Sequence, residues 1–362
     1  MESNYYDKGW KLNTIGSGAF GNVYKKNRDH VVKIIAVYNK NGIIEDKSAE
    51  IERKGSFVIQ KLILDKLRSP HVVTFYGSQS INVDQKYLRE NNDIINKSQV
   101  TYVNSLTRDE SQKLDINNIP TPVQMLYLSY DYCNMEALRN YTITTPETLC
   151  RYLWMILWTI HVFHTQRISH NDLNSNNILI VSCNKSRFIT YEWQGGKKRS
   201  IDTARCGNSM IKFIDFSIMA AYETDEYGTF NGASFLNRIN FDKIEKKTIY
   251  DPVYEYIANN IKEKPNVYAP GNDLRWLMFL ISPIINNNQE AKTEFIISSR
   301  KLFQGGKNTQ MYRMLTQFYK TLENCTKSPY ECTCEMTLFN EEIFNDLETS
   351  YDGISTDNYN ST

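Results

Sequence analysis

A long apolar helix pattern that begins at Pro146 divides the chain into two parts of different character. Pro146 suits the first turn of a helix, and Thr145 before it suits the N-cap. Residues 148–166 are apolar on most sides, which is typical of a helix that other elements surround. This pattern therefore predicts a central helix in the second part of the chain.

The two parts differ in the elements that their hydrophobic spacing predicts. The first part has strand patterns at residues 11–15, 23–26, 31–37, 72–76 and 124–132. Its one helical pattern covers residues 48–67 and ends before Pro70. The second part has short apolar strands at residues 177–181 and 211–216, and further helices at residues 273–285, 289–303 and 309–322. We therefore expect an α+β fold with a strand-rich first part and a helical second part.

Three polar segments interrupt these patterns. Residues 81–122 are rich in Asn, Asp, Lys and Ser, and a stretch of that length with little pattern predicts an insertion or a mobile loop. Residues 184–209 include the run Gly-Gly-Lys-Lys-Arg at positions 195–199, which predicts a solvated loop. Residues 350–362 are polar and lack periodicity, so we expect a disordered tail.

The composition argues against several classes of protein. Lys plus Arg number 42 and Asp plus Glu 41, and this balance argues against a nucleic-acid binder or a polybasic membrane-surface protein. No run approaches the roughly 18 apolar residues that a membrane span needs. The 7 cysteines are scattered and odd in number, and no secretory signal is visible. We therefore expect reduced thiols and a cytoplasmic location.

A glycine-rich segment lies near the N-terminus, where residues 15–23 have the pattern GxGxxGxV. Glycines let backbone N–H groups approach phosphate oxygens without interference from a Cβ atom. The same glycines also suit a plain tight hairpin or a dinucleotide-binding turn. A dinucleotide-binding turn opens a helix, whereas the residues from Val23 onward continue as a strand. The pattern therefore favours a hairpin that covers a nucleotide.

Lys33 lies in the third predicted strand, among Val31, Val32 and Ile34. A lysine in such a strand is costly to bury unless an anion meets it. An alternating strand with its polar side outward is the other interpretation. The preceding glycine hairpin favours a lysine that reaches phosphates.

The strongest motif follows the central helix, at residues 168–179. Asp172 and Asn177 lie on one loop, where one side chain could accept a proton from a hydroxyl while the other ligates a divalent cation. Asn-rich loops are often only turns, but a turn requires neither His170 nor the apolar strand after Asn177. A further acid, Asp215, lies in the apolar segment 211–216 and is either a ligand for a hard cation or a turn residue.

In this order, the four motifs resemble the signature set of protein kinases. The resemblance implies a two-lobed protein kinase-like fold, with a small antiparallel-sheet N-lobe that has one main helix and a mostly helical C-lobe. The N-lobe would span residues 1–133, with the insertion at about 81–122. The C-lobe would span residues 134–349, with the loop insertion at about 184–209, before the tail at residues 350–362.

The resemblance also implies the roles of the site residues. The ATP phosphates would lie under the hairpin formed by Ile15, Gly16, Ser17, Gly18, Ala19, Phe20, Gly21 and Val23. Lys33 would pair with those phosphates, and the backbone from Asp131 to Cys133 would bind adenine. Asp172 would be the catalytic base, and Asn177 and Asp215 would ligate Mg²⁺. Asp273 would be the buried aspartate that supports the catalytic loop.

The helix residue that partners Lys33 is left open by the sequence. Counting back from Pro70 places Gln60 in that position, whereas counting forward from Lys33 favours Glu52. A glutamine would orient Lys33 by a neutral hydrogen bond, which is weaker than a charge-assisted one.

Other positions depart from most regulated kinases. Asn171 stands where those kinases have an arginine, so it cannot form the arginine–phosphate pair that orders a phosphorylated segment. Asn174 replaces a lysine, Ser217 replaces the glycine of Asp-Phe-Gly, and no Ala-Pro-Glu motif follows at the usual place. The Asp-Phe-Ser stretch is similar to haspin-like kinases. The His-Asn-Asp-Leu loop is similar to aminoglycoside and choline kinases and to kinases of large DNA viruses, and the many Asn, Lys and Ile residues suit a viral, AT-rich genome.

The resemblance therefore implies an ATP- and Mg²⁺-dependent serine/threonine kinase that acts on protein substrates. Two alternatives stay open: a phosphotransferase for small molecules on the same fold, and a pseudokinase that serves as a binding module. The sequence indicates neither the natural substrate nor the oligomeric state, and the choice of Ser/Thr over Tyr follows from the resemblance alone.

Overall fold

A computed structural model describes the chain over the following residues: 13–18, 21–37, 48–67, 69–90, 123–131, 135–141, 143, 145–183, 188–192, 198–224, 228–239, 241–243, 249–263, 269–286 and 310–325.

A five-stranded antiparallel sheet forms the first lobe. Its strands are β1 (Asn13–Gly18), β2 (Gly21–Lys25), β3 (His30–Val37), β4 (Phe75–Val83) and β5 (Val123–Asp131), in the order β1-β2-β3-β5-β4. Lys33 lies in the centre of this sheet, with Val23 of β2 on one side and Leu128 of β5 on the other. The predicted strands of the first lobe are confirmed except at β4, which begins later and runs further than residues 72–76.

One long helical segment packs against this sheet. Helix α1 (Ser48–Val58) continues as a π-helical segment (Ile59–Lys66), so the predicted helix over residues 48–67 is confirmed. Val58, Ile59 and Ile63 are buried in the core. The packing also brings Gly55 against Met219 of the second lobe, because a Cβ atom at Gly55 would lie 2.6 Å from Met219 Sδ.

Helices dominate the second lobe. The central helix α3 (Pro146–Thr165) begins as predicted, since Thr145 Oγ1 accepts a hydrogen bond of 3.2 Å from Thr148 N. A short helix α2 (Gln85–Glu90) precedes it in the chain, and α4 (Asp251–Glu263), α5 (Gly271–Asn286) and α6 (Gln310–Glu323) follow it. The predicted helices at residues 273–285 and 309–322 are thereby confirmed.

Two small sheets in this lobe position the loops of interest. One consists of β6 (Met135–Ala137), β8 (Ile178–Ser182) and β11 (Ser209–Phe213), in the order β11-β8-β6. The other consists of β7 (Ile168–Ser169), β12 (Ala220–Thr224) and β13 (Gly228–Asn231). The loop between β7 and β8 carries Asp172, and the chain after β11 carries Asp215.

The prediction of a solvated loop over residues 184–209 is wrong. Strands β9 (Phe188–Glu192) and β10 (Lys198–Asp202) form an antiparallel hairpin, and a short 3₁₀ helix (Thr203–Cys206) follows. Ile189, Tyr191 and Ile201 are buried, and the Tyr191 ring packs edge-on against Trp154 and Trp158 of α3. The alternation of apolar and polar residues in β9 was the signal of a half-buried strand, and the glycines and lysines nearby masked it.

The insertion predicted at residues 81–122 was expected to begin too early in the chain. Strand β4 continues to Val83 and α2 follows at once, so regular structure extends into the segment predicted as patternless. Residues 91–122, the predicted helix at 289–303 and the predicted tail at 350–362 lie outside the described residues.

The cysteines are not all free thiols, contrary to expectation. Cys150, Cys183 and Cys206 are free and buried, whereas Cys325 is disulfide-bonded. The expectation of reduced thiols assumed that the cysteines are scattered over the whole sequence. Cys325 departs from that assumption, because it lies close in the sequence to two other cysteines. In the part of the chain that the structure describes, no helix has the length and apolarity of a membrane span.

Candidate active site

A cleft of about 860 Å³ lies between the five-stranded sheet and the loops of the second lobe. The sequence-predicted site residues that line it are Ile15, Gly16, Ser17, Gly21, Val23, Lys33, Asp131, Asp172, Asn177 and Asp215. Gly18 pairs with Gly21 at the end of the β1–β2 hairpin. Ala19, Phe20 and Cys133 lie outside the described residues. The fold therefore gathers side chains from distant parts of the sequence around one cavity.

The β1–β2 hairpin forms one wall of this cleft, and Gly21 fixes its return. The backbone of Gly21 has φ +134°, and a Cβ atom there would lie 2.4 Å from the carbonyl oxygen of Ile34. Only glycine fits this close approach to β3 without displacing backbone. The third glycine of the pattern thus reflects a steric requirement of the hairpin.

Lys33 makes two ion pairs inside the cleft. Its Nζ atom lies 2.7 Å from Glu52 Oε1 of α1 and 3.4 Å from Asp215 Oδ2. Gln60 instead accepts a hydrogen bond from the backbone N–H of Phe75 and donates one to Asp65. The structure therefore identifies Glu52 as the helix partner of Lys33.

Burial and charge act on this pair in opposite directions. Burial favours the neutral amine of Lys33, but the carboxylates of Asp215 and Glu52 outweigh it and raise the pKa of Lys33. Burial also raises the pKa of Glu52, and the ammonium of Lys33 opposes that rise. The short contact of both carboxylate oxygens with Nζ, at 2.7 and 2.8 Å, is that of an ionised pair.

Tyr130, at the end of β5, provides a contact that sequence reasoning missed. Its hydroxyl lies 2.8 Å from Ser56 Oγ and donates to Glu52 Oε1 at 3.5 Å. Ser56 and Glu52 are one helical turn apart on α1, and that spacing was the available signal. Tyr130 thus connects the buried face of α1 to the strand that borders the cleft.

The carboxylate of Asp172 accepts three hydrogen bonds from neutral side chains. Asn174 Nδ2 donates to its Oδ1 at 2.8 Å, Tyr254 OH donates to the same oxygen at 2.7 Å, and Asn177 Nδ2 donates to Oδ2 at 2.8 Å. Burial, together with the negative charge of Asp215, raises the pKa of Asp172 to about 7. A carboxylate with such a pKa is well matched to proton transfer near neutral pH.

The backbone of this loop is held from beneath by Asp273 of α5. Its two carboxylate oxygens accept hydrogen bonds from His170 N at 3.0 Å and from Asn171 N at 2.8 Å. Trp276 Nε1 adds a hydrogen bond of 2.7 Å to Asn171 O. These contacts agree with the supporting role that the sequence resemblance gives to Asp273.

Asn171 is buried and its side chain is fully engaged. The backbone has φ 65°, a left-handed conformation that asparagine tolerates better than most residues. Its amide donates to Ile218 O at 3.0 Å and accepts from Asn272 Nδ2 at 2.9 Å. Neutral hydrogen bonds therefore connect the catalytic loop to the segment after Asp215.

Asp215 and Asn177 have the chemistry of a hard-cation site. Asp215 lies in a left-handed backbone conformation with φ 63°, and Ile214 N donates to Asn177 O at 3.0 Å, so the two residues are close. Burial would raise the pKa of Asp215, but the charge of Lys33 lowers it on balance, which keeps the carboxylate ionised. The Asn177 amide nitrogen is used on Asp172, which leaves its oxygen to face a cation. Carboxylate and amide oxygens together with phosphates are the ligands that Mg²⁺ prefers, so the residues fit this ion.

The carboxylate of Asp131, which borders the cleft, is engaged by neighbouring residues. It accepts hydrogen bonds from Thr74 N at 2.8 Å and from Lys212 Nζ at 2.9 Å. These contacts anchor the end of β5 to the neighbouring strand and to β11. Its side chain is therefore occupied, which agrees with a backbone role for this segment.

Comparisons with known proteins point to one family. A sequence model of the protein kinase domain matches residues 10–236. Two curated relatives, cyclin-dependent kinase C-2 and cyclin-dependent kinase C-1 of Arabidopsis thaliana, are each 23% identical over 172 residues, which is 47% of this chain. The matches cover only 28% and 29% of those relatives' own lengths.

A crystal structure of a kinase domain aligns with 92% of this chain and 98% of its own, at 15% identity and a TM-score of 0.40. The family match covers well over half of the sequence, including the glycine hairpin, Lys33, the loop of Asp172 and Asp215. The chain belongs to the protein kinase domain family.

Proposed function

We propose that this chain is an active protein kinase that transfers the γ-phosphoryl group of ATP to Ser or Thr hydroxyls of protein substrates, with Mg²⁺ as cofactor. The observation that carries the proposal is the convergence of Lys33, Asp172, Asn177 and Asp215 on one cleft. The ion pair between Lys33 and Glu52 is formed, so the residue that meets the phosphates is already oriented.

Each residue has a role in phosphoryl transfer, which depends mainly on positioning and on charge stabilisation. The ammonium of Lys33 neutralises phosphate charge, and Glu52 holds that ammonium in place. Asp172 orients the acceptor hydroxyl and accepts its proton. Asn177 and Asp215 would hold Mg²⁺, which when bound neutralises charge on the β- and γ-phosphates.

The free acceptor position on Asp172 follows from its hydrogen bonds. An ionised carboxylate has about four lone-pair positions, two on each oxygen. Asn174 and Tyr254 occupy both positions of Oδ1, whereas Asn177 occupies one position of Oδ2. We therefore assign Oδ2 as the atom that receives the substrate proton.

A labelling experiment distinguishes the three functions that the sequence left open. Purified protein is incubated with γ-labelled ATP and Mg²⁺ in the presence of acidic and basic acceptor proteins, aminoglycosides or choline. Label on Ser or Thr of the acceptor proteins supports the proposal. Label on a small molecule identifies a small-molecule phosphotransferase, and ATP binding without any transfer identifies a pseudokinase.

The variant Asp172→Asn tests the assigned base in the same assay. We expect turnover to fall by roughly 10²- to 10⁴-fold, the range for loss of a general base. Binding of Mg·ATP should change much less than turnover, because an asparagine at this position keeps an oxygen that can accept the hydrogen bond from Asn177. Wild-type turnover in this variant would remove Asp172 from the mechanism.

A further inference from the structure

Tyr254 reaches the catalytic carboxylate from a helix distant in the chain. Its hydroxyl donates to Asp172 Oδ1 at 2.7 Å, across 82 positions of sequence. Tyr254 lies in the first turns of α4, and no local motif of the catalytic loop includes it. This contact therefore adds a residue to the site that the motifs did not indicate.

The tyrosine ring is fixed by the same residue that supports the loop. The rings of Tyr254 and Trp276 meet edge-on, with centroids 5.3 Å apart. Trp276 in turn donates its Nε1–H to the carbonyl oxygen of Asn171, which precedes Asp172. Tyr254 and the catalytic loop thus share one rigid support, so the hydroxyl is held in place before a substrate arrives.

The hydrogen bond from Tyr254 is one of three that Asp172 accepts from described side chains, none of which is charged. The other two donors are asparagines. Asn177 is also a proposed metal ligand, so Asn174 and Tyr254 are the donors to Asp172 that lie outside the proposed metal site, and of these Asn174 also accepts a hydrogen bond from Asn176 N at 2.9 Å. Asn174 and Tyr254 both bind the same oxygen, and this pair fixes the plane of the carboxylate, so that the other oxygen keeps an open acceptor position.

We propose that Tyr254 is a positioning residue for phosphoryl transfer, which holds the Asp172 carboxylate so that Oδ2 faces the acceptor hydroxyl. This inference rests on the proposed kinase function. The tyrosine hydroxyl does not occupy the acceptor's place, because it binds the oxygen that Asn174 also occupies and leaves the open position on Oδ2 free.

The test replaces only the hydroxyl group. Tyr254→Phe keeps the ring against Trp276, and we expect kcat to fall about tenfold, the effect of losing one hydrogen bond to a charged group. The dissociation constant of Mg·ATP, measured by calorimetry, and the melting temperature should stay at wild-type values. Incorporation of 4-aminophenylalanine at position 254 returns an N–H donor to the same ring position and should restore most of kcat.

The matched control is Tyr250→Phe. The Tyr250 ring also packs on Trp276, at 5.9 Å between centroids, whereas its hydroxyl accepts a hydrogen bond from Asn176. Tyr250→Phe should therefore not show the tenfold loss of kcat that is expected for Tyr254→Phe.

Several outcomes would overturn the proposal. Wild-type kcat in Tyr254→Phe would show that the hydroxyl has no part in transfer, and an increased kcat would show that it blocks the acceptor. Failure of 4-aminophenylalanine to restore kcat, with normal ATP binding, would also contradict it. Each of these requires an active wild type in the same assay, whereas an inactive wild type would overturn the kinase function itself.

Discussion

The carboxylate of Glu52 lies 2.7 Å from the ammonium of Lys33, and this contact joins helix α1 to the centre of the N-terminal sheet. Both side chains are almost entirely shielded from water. Because desolvation offsets much of the attraction in a buried ion pair, we expect the pair to serve the binding of another anion by the lysine rather than the stability of the fold. Asp215 at 3.4 Å shows that the same ammonium also reaches the second lobe. The pair therefore couples the position of α1 to the geometry of the cleft.

Glu52→Gln should lower kcat/KM for ATP by roughly tenfold. The amide replaces a charge-assisted hydrogen bond by a neutral one, a difference of about 1 to 1.5 kcal/mol. Steady-state kinetics at varied ATP concentration measures the effect. Gln60→Ala is the matched control on the same helical segment, and it should keep the wild-type kcat/KM because Gln60 contacts Phe75 and Asp65 rather than Lys33.

Asp215→Asn should abolish the dependence of ATP binding on Mg²⁺. The substitution keeps the shape of the side chain but removes the charge that a hard cation requires. Calorimetric titration of ATP with and without Mg²⁺ measures the difference. Asp172→Asn, in the same cleft, should retain the Mg²⁺ dependence, and an unchanged dependence in Asp215→Asn would contradict the assigned metal ligand.

Treatment of purified protein with phosphatase should leave the kinase rate unchanged. Asn171 donates a neutral hydrogen bond to Ile218 O in the segment after Asp215, and Asn272 of α5 donates to Asn171 in turn, so no phosphate group is needed to order this connection. The rate is compared before and after treatment, with mass spectrometry to verify that phosphate has been removed. A large loss of rate would show that another basic residue takes the role that Asn171 lacks.

The stability of the protein should fall between pH 6.5 and pH 4 in a way that depends on His71. Burial, with a smaller effect from the charge of Lys212, lowers the pKa of His71 to about 4. Between that value and the ordinary pKa of about 6.5, the unfolded chain binds the proton and the folded chain does not, so stability decreases as the pH falls. The full effect is about 3 kcal/mol for a group buried this completely.

Urea denaturation at pH 7 and pH 4.5 measures this effect. His71→Gln removes the titrating group, so its free energy of unfolding should depend less steeply on pH than that of the wild type. Tyr191→Phe removes the hydroxyl that His71 contacts at 2.8 Å but keeps the imidazole, and it should retain the steep dependence. Equal slopes in wild type and His71→Gln would contradict the prediction.

Gly55→Ala should lower the free energy of unfolding by about 1 to 2 kcal/mol, although alanine is the better helix former. The added methyl would lie 2.6 Å from Met219 Sδ and 3.0 Å from Phe216 O, where the helix meets the segment after Asp215. Thermal unfolding measures the loss. Gly271→Ala is the control, because its methyl would lie 3.4 Å from Tyr256 OH, an ordinary contact; greater stability in Gly55→Ala would show that this packing can relax.

Local patterns predicted most of the architecture. The strands around Lys33, the cap at Thr145 and the apolar helices follow from spacing and from turn chemistry, which act over a few residues. The choice between Glu52 and Gln60 could not be made from local patterns, because they do not indicate which turn of the helix faces Lys33. Counting back from Pro70 gave Gln60, whereas counting forward from Lys33 gave Glu52.

The remaining contacts of the site depend on long-range packing. Tyr254 reaches Asp172 from another helix, and Tyr130 reaches Glu52 across 78 positions, so no window of sequence contains both partners. The β9–β10 hairpin was hidden by its glycines and lysines. In each case the sequence did not indicate which distant residue the fold places in contact.

The β9–β10 hairpin limits how the protein can be shortened. An engineer who trims the region between β8 and β11 to obtain a smaller version would remove the buried Tyr191 as well. His71, at the junction of the lobes, would lose its hydroxyl partner, and the tryptophans of α3 would face a hole. A truncated protein of this kind should aggregate or melt early, and the full-length hairpin is the form to express.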